Sequence, residues 1–172
     1  MNYSAIKPVD IANGIGVRVS LFVSGCPHHC KGCFNAETWD YAHGDPFAEE
    51  TVLRIFTLLK PDWVHGLSLL GGEPLAPQNI DTVTGLVKRV KELYPDKTVW
   101  CYTGYSWDEV RQHPIMEHID VLVDGRFIEA ERDISLQFRG SRNQRIIDVP
   151  KSLATDSVVL WETDPGLKPS RR

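Results

Sequence analysis

Four apolar runs of this chain each break off into a short motif that an ordinary turn does not need: Ser24-Gly25-Cys26, Gly71-Gly72-Glu73-Pro74, Thr103-Gly104-Tyr105 and Asp124-Gly125-Arg126-Phe127. In the first run, Val17, Val19, Leu21 and Val23 alternate with Arg18, Ser20 and Phe22, the period of a strand with one buried face. The runs at 67–70, 98–102 and 119–123 read as short buried strands. Helical patterns lie between them. Residues 45–61 offer Asp45 as N-cap, Pro46 at the first helical position, acids in the first turn and Pro61 past the end. In residues 77–95, Ile80, Val83, Val87, Val90 and Leu93 share one helical face. Ser106 is placed to cap a short helix running through Glu109 and Arg111. Past residue 128 the periodicity weakens, and the run at 158–161 is expected to add an edge strand.

Strand and helix in alternation predict an α/β fold with a mostly parallel sheet. In such sheets the loops leaving the C-terminal strand ends gather on one face and carry the chemistry, so the four motifs are expected to meet. A full eight-unit barrel takes about 250 residues. With 172 residues, the expectation is a partial, open-sided β/α barrel.

The chain is 42% apolar and 24% charged, which fits one domain able to bury a core without disulfides. A net charge of -4 argues against nucleic acid or an anionic membrane as the main partner. The N-terminal stretch has no apolar signal core, and no run reaches the roughly 18 apolar residues of a spanning helix. The expected location is the cytoplasm, where clustered cysteines indicate metal or redox chemistry rather than cross-links.

Three of the four cysteines, Cys26, Cys30 and Cys33, fall within eight residues at a C-x3-C-x2-C spacing. Three thiolates suit zinc or an iron-sulfur cluster. A structural zinc site wants four protein ligands, and the fourth would have to be His28, His29 or the distant Cys101. A four-iron cluster on three cysteines keeps one iron without a protein ligand, the open position a catalytic centre requires. The spacing also differs from the C-x2-C-x2-C run of ferredoxin electron carriers.

The C-x3-C-x2-C segment resembles that of the radical S-adenosylmethionine enzymes. Together with the opening Asn2-Tyr3 to Arg18 pattern, the double glycine, Thr103-Gly104-Tyr105, Val121 to Phe127 and Arg139 to Arg145, it resembles the activating proteins of anaerobic ribonucleotide reductases. The resemblance covers residues 1–146 and leaves 147–172 as a C-terminal extension without an assigned role. One departure is Glu73, where relatives carry Asp.

The resemblance implies a [4Fe-4S] cluster held by Cys26, Cys30 and Cys33, whose open iron binds S-adenosyl-L-methionine. Reductive cleavage would give a 5'-deoxyadenosyl radical and then a glycyl radical on the reductase large subunit. It also implies a reduced electron donor such as flavodoxin. Two alternatives stand beside it: another small radical enzyme of the same superfamily, either a different glycyl radical activase or a small-molecule synthase, and a non-catalytic zinc or iron-sulfur module.

By the same resemblance, Gly71, Gly72 and Glu73 contact the methionine end of the cofactor, and Gly32 and Phe34, flanking Cys33, lie near the adenine. Each has a plain counterpart: a strand-to-helix turn for the glycines, a solvated helix-start acid for Glu73, a core position for Phe34. His28 and His29 are expected around the cluster or facing solvent, and Cys101 as a small core hydrophobe. Thr103, Tyr105 and Asp124 sit at active-face strand ends without a role. Arg139, Arg142 and Arg145 form either a contact for the reductase, the donor or a carboxylate, or a solvated basic loop.

Overall fold

The alternating runs become neighbouring strands in a computed structural model that describes residues 1–162. The strands are β1 (Asn2–Asp10), β2 (Val17–Val23), β3 (Asp45–Pro46), β4 (Val64–Gly71), β5 (Thr98–Tyr102), β6 (Val121–Asp124) and β7 (Arg145–Asp148). They form one open sheet in the order β3-β1-β2-β4-β5-β6-β7. β2, β4, β5 and β6 run parallel, with Val23 beside Gly71, Leu69 beside Cys101 and Tyr102 beside Val123. β1, β3 and β7 are antiparallel additions at the flanks. The sheet is therefore mixed, with a parallel centre whose four C-terminal ends share an edge.

One face of this centre, made by Val19, Leu21, Leu67, Leu69, Val99, Cys101 and Leu122, packs against the apolar stripes of α1 (Glu49–Leu59) and α2 (Ile80–Leu93). Two short helices, α3 (Trp107–Val110) and α4 (Val149–Thr155), and 3-10 turns at Ala36–Trp39, Pro114–His118 and Glu129–Glu131 complete the regular elements among the described residues. Ser106 stands at the N-cap of α3, but its hydroxyl donates to Glu109 Oε2 at 2.7 Å rather than accepting from the helix; it is the Glu109 carboxylate, accepting from the Ser106 N–H at 2.7 Å, that closes the start. Among the described residues no helix is long and apolar enough to cross a membrane.

Several local expectations are corrected. β2 is buried on both faces: Arg18, Ser20 and Phe22 are also buried, with Trp100 against the Arg18 guanidinium and the Lys7 ammonium over the Phe22 ring. Asp45 and Pro46 do not start a helix; they pair with Tyr3 and Asn2, and α1 begins at Glu49 with the Thr51 hydroxyl accepting from the Ala48 N–H. On α2, Leu93 is 56% exposed, and Leu86 takes the buried place expected for it. The run at 158–161 makes an isolated bridge, Leu160 to Ile147, rather than a strand. β1 and β7 were not anticipated.

The stretch from residue 147 onward starts inside β7, continues as α4 and folds back: Asp148 donates to Val159 O at 2.9 Å and Trp161 to Ile146 O at 2.8 Å. This return sets the Trp161 ring 6.0 Å from Trp100. The remainder of the expected extension, 163–172, lies outside the described residues.

Arg18 is fully buried beneath Trp100, and its guanidinium uses all five N–H groups. The acceptors are Ser68 Oγ, Thr98 Oγ1 and the carbonyls of Ile15, Leu67 and Thr98, so one side chain staples β2, β4 and β5 at the end opposite the motifs. Burial among neutral acceptors pulls its pKa down to about 10. Arg18→Leu strands those acceptors without donors. It is expected to destabilise the apoprotein by about 3 kcal/mol or more, read from the urea midpoint under reducing conditions.

Candidate metal centre

β2 ends at Val23 and the chain turns over the strand ends. Its course is set by backbone bonds: Ser24 donates to Asn2 O at 3.0 Å, Gly25 to Thr38 O at 2.7 Å and Cys26 to Trp39 O at 3.1 Å. A tight turn closes from the Cys33 N–H to Cys30 O, and the Asn35 N–H points at Cys33 Sγ at 3.4 Å. The double-glycine loop is hydrogen-bonded directly to this loop, Gly72 N–H to Val23 O at 2.7 Å and Glu73 N–H to Gly25 O at 2.8 Å. Gly71 has a φ of 102°, and a Cβ on Gly72 would lie 2.5 Å from Gly25 O. Both glycines are therefore required by the approach of the two loops.

The four motifs do meet. Glu73 is 1% exposed and accepts four hydrogen bonds: Leu75 N–H (2.9 Å) and Thr103 Oγ1 (2.8 Å) on Oε1, Gly104 N–H (2.7 Å) and His28 Nε2 (3.0 Å) on Oε2. The reading of Glu73 as a solvated acid is thus overturned: the carboxylate joins the first, second and third motifs. The fourth joins through the Gly125 N–H, which donates to Tyr105 O at 3.0 Å. Asp124, 1% exposed, accepts from Trp107 N–H at 2.8 Å and from Arg145.

Cys26, Cys30 and Cys33 are free, half-buried, and line one cavity of about 500 Å³ with Phe34, Gly71, Gly72 and Glu73. Burial pushes the Cys26 thiol up, opposed by the His28 and His29 N–H groups and reinforced by the Glu73 charge. Burial also raises Cys30, opposed by the Phe127 backbone. A bound cation reverses this balance, because a coordinating thiol is deprotonated. Among the described residues no three His, Cys, Asp or Glu side chains converge on one metal-ion position. A multi-iron cluster, which takes one thiolate per iron, asks for no such convergence.

The candidates for a fourth ligand are engaged elsewhere. The His28 side chain is 4% exposed and bonded to Glu73, and His29 stacks on Trp39 at 4.8 Å. Cys101 is fully buried in the core on the helix side of the sheet, as expected of a small hydrophobe. The three thiolates thus stand as a set without a protein completion, which fits a four-iron cluster with one open corner.

Phe34 is not core: it is 60% exposed, edge-on to Phe127 at 5.2 Å with the Arg132 guanidinium 4.9 Å from its ring centroid. The basic segment is mostly not a free patch. Arg145 binds Asp124, Arg142 binds Asp133 at 3.1 Å, and Arg139 donates to Gln144 O while facing the cavity. Asn79 escaped the sequence reading, although it is fully buried and its amide donates to Ser24 O at 2.9 Å and Glu73 O at 3.0 Å. Its only signal was an amide at the start of a helix directly behind the double glycine. A second cavity, of about 530 Å³, lies at the opposite strand ends around His65, Lys97 and Trp100, and none of the four motifs reaches it.

Residues 12–147 match the family described as a 4Fe-4S single cluster domain, so fold and cysteines belong to an iron-sulfur class. Curated relatives are each called "Anaerobic ribonucleoside-triphosphate reductase-activating protein". The one from Vibrio cholerae is 46% identical over 150 residues, covering 85% of this chain and 97% of the relative. That of enterobacteria phage T4 is 41% identical over 146 residues, 85% of this chain and 93% of the relative. That of Escherichia coli K12 is 45% identical over 148 residues, 84% and 96%. The chain belongs to the family of anaerobic ribonucleoside-triphosphate reductase-activating proteins.

Burial holds the Cys101 thiol well above its ordinary pKa near 9.0, with the Glu73 charge adding to the rise. The native state keeps this proton where the unfolded chain releases it, so the contribution is present below the ordinary value and is lost as pH rises above it. Apoprotein stability is expected to fall more steeply above pH 9 in wild type than in Cys101→Ala, compared by urea unfolding in reductant.

Proposed function

We propose that this protein is an iron-sulfur enzyme that generates a glycyl radical on the large subunit of an anaerobic ribonucleotide reductase. The observation that carries this reading is the meeting of three uncompleted thiolates with the double-glycine and Glu73 loop in one cavity at the C-terminal strand ends. The [4Fe-4S] cluster, which Cys26, Cys30 and Cys33 would hold, and S-adenosyl-L-methionine would supply the radical chemistry when bound: one electron from a reduced carrier would cleave the sulfonium, and the substrate hydrogen would come from a backbone glycine of the reductase.

The chain's own residues hold and orient. Cys26, Cys30 and Cys33 each hold one iron and leave the fourth open. Gly71 and Gly72, without a Cβ, let the second loop lie directly on the cysteine loop and so line the cavity where a ligand's methionine end would sit. Glu73 places a buried negative charge beside that end, where an ammonium is favoured; since its oxygens already accept four bonds, an ammonium reaches it by charge or by replacing a donor. The exposed ring of Phe34, with Phe127, offers an apolar wall for a purine, while Gly32 lies outside the cavity lining, against Glu129.

The open sheet, read as a partial barrel, admits a segment of a large partner where a closed barrel takes only small molecules. Lys7, Arg132 and Arg139 make the cavity's walls net basic, since Asp133 is paired with Arg142. The electron comes from a reduced carrier protein of the flavodoxin kind, and the setting is the cytoplasm, where thiols stay reduced.

Anaerobic reaction of the reduced protein with S-adenosyl-L-methionine and the reductase is expected to release 5'-deoxyadenosine and to give a glycyl signal in electron paramagnetic resonance. Replacing Cys26, Cys30 or Cys33 singly by Ala should abolish both, while Cys101→Ala keeps both. Full activity in Cys30→Ala would sink the assignment.

A further inference from the structure

His28 lies between the first two cysteines of the loop, yet it is turned inward with 4% of its side chain exposed. Its Nε2 stands 3.0 Å from Glu73 Oε2, and a carboxylate that only accepts requires that nitrogen to carry a hydrogen. The ring meets Tyr105 edge-on at 4.5 Å. It also fills the space beside Gly104, where a Cβ would come within 2.3 Å of the imidazole. One side chain of the cysteine loop therefore contacts the second and third motifs at once, and it is the only side chain of that loop among Glu73's hydrogen-bond donors.

We propose that His28 is a positioning residue: by donating from Nε2 to Glu73 it fixes the stretch from Cys26 to Cys30 against the second and third strand-end loops and so presents the thiolates as a set. The inference rests on the reading that these cysteines hold the cluster. Two physical consequences follow. Without the donor, the span between Cys26 and Cys30 loses its side-chain hydrogen bond to the second strand-end loop and keeps only ring contacts such as His29 on Trp39, so the cluster would be held less firmly. The Glu73 carboxylate also loses one of its balancing donors beside Cys26, and uncompensated negative charge there favours the oxidised cluster and lowers its potential.

The test compares wild type, His28→Phe and His28→Gln, each loaded anaerobically with iron and sulfide. His28→Phe keeps bulk without a donor, and His28→Gln restores an N–H. Cluster loss to a chelator is expected about tenfold or more faster in His28→Phe, the range seen when groups supporting metal ligands are removed, with His28→Gln close to wild type. The midpoint potential should fall in His28→Phe and recover in His28→Gln. If His28→Phe does not fold, His28→Asn, whose shorter amide falls short of Glu73, takes its place. Wild-type retention and potential in the donor-less variant would overturn the proposal, as would equal loss in His28→Phe and His28→Gln. A wild-type chain that takes up no four-iron cluster would instead overturn the underlying reading.

Discussion

The site depends on one buried anion. Glu73 sits at the join of loops that belong to three different strands, and each of its four donors comes from within the chain. A carboxylate taken out of water is tolerated only when fully hydrogen-bonded, so the loops can close only together. The same closure brings Asn79 against the carbonyls of Ser24 and Glu73 and lets the backbone of Gly72 lie on that of Gly25. What joins the cysteine loop to the neighbouring strand-end loops is thus a network centred on Glu73, in which the thiols of Cys26, Cys30 and Cys33 take no part.

At the far end of the same strands, Arg18 of β2 is a buried cation served by neutral acceptors on β4 and β5 and by the carbonyl of Ile15 just before β2. The two charges sit at opposite ends of the parallel centre, each fixing a register there. Between them, the helix-facing side of the sheet is wholly apolar, while the other side is roofed by the segment from 126 to 144. That roof is braced from within: Gln144 Oε1 accepts from Gly140 and Ser141, its amide donates to Gly125 O, and Asn143 donates to Arg126 O. The basic motif is therefore largely a clasp between the fourth strand-end loop and β7, and Arg139 is the arginine it turns toward the cavity.

Much of the site was legible because its signals are local. Apolar runs ending in cysteine, glycine and acid predicted both the parallel strands and their shared edge, and the C-x3-C-x2-C spacing pointed to metal. What was not legible depends on partners distant in sequence. β1 and β7 are antiparallel additions whose polar and basic residues hide the strand period, and nothing local marks Arg18 as buried until Ser68 and Thr98 are known to face it. Asp45-Pro46 carries a convincing helix-start signal, which pairing with β1 overrides. Glu73 looked like an acid placed for a helix dipole because the residues that bury it lie 30 or more positions away.

An open sheet runs the hazard of admitting its own copies by strand addition. The β7 border is blunted by Leu160 and Trp161, which lie along it without forming a strand, whereas β3 pairs only with Asn2 and Tyr3 and leaves the rest of β1 at the open edge. Among the described residues, strand addition is therefore confined to the outer side of β1, where Lys7 and Pro8 interrupt the ribbon a copy could extend.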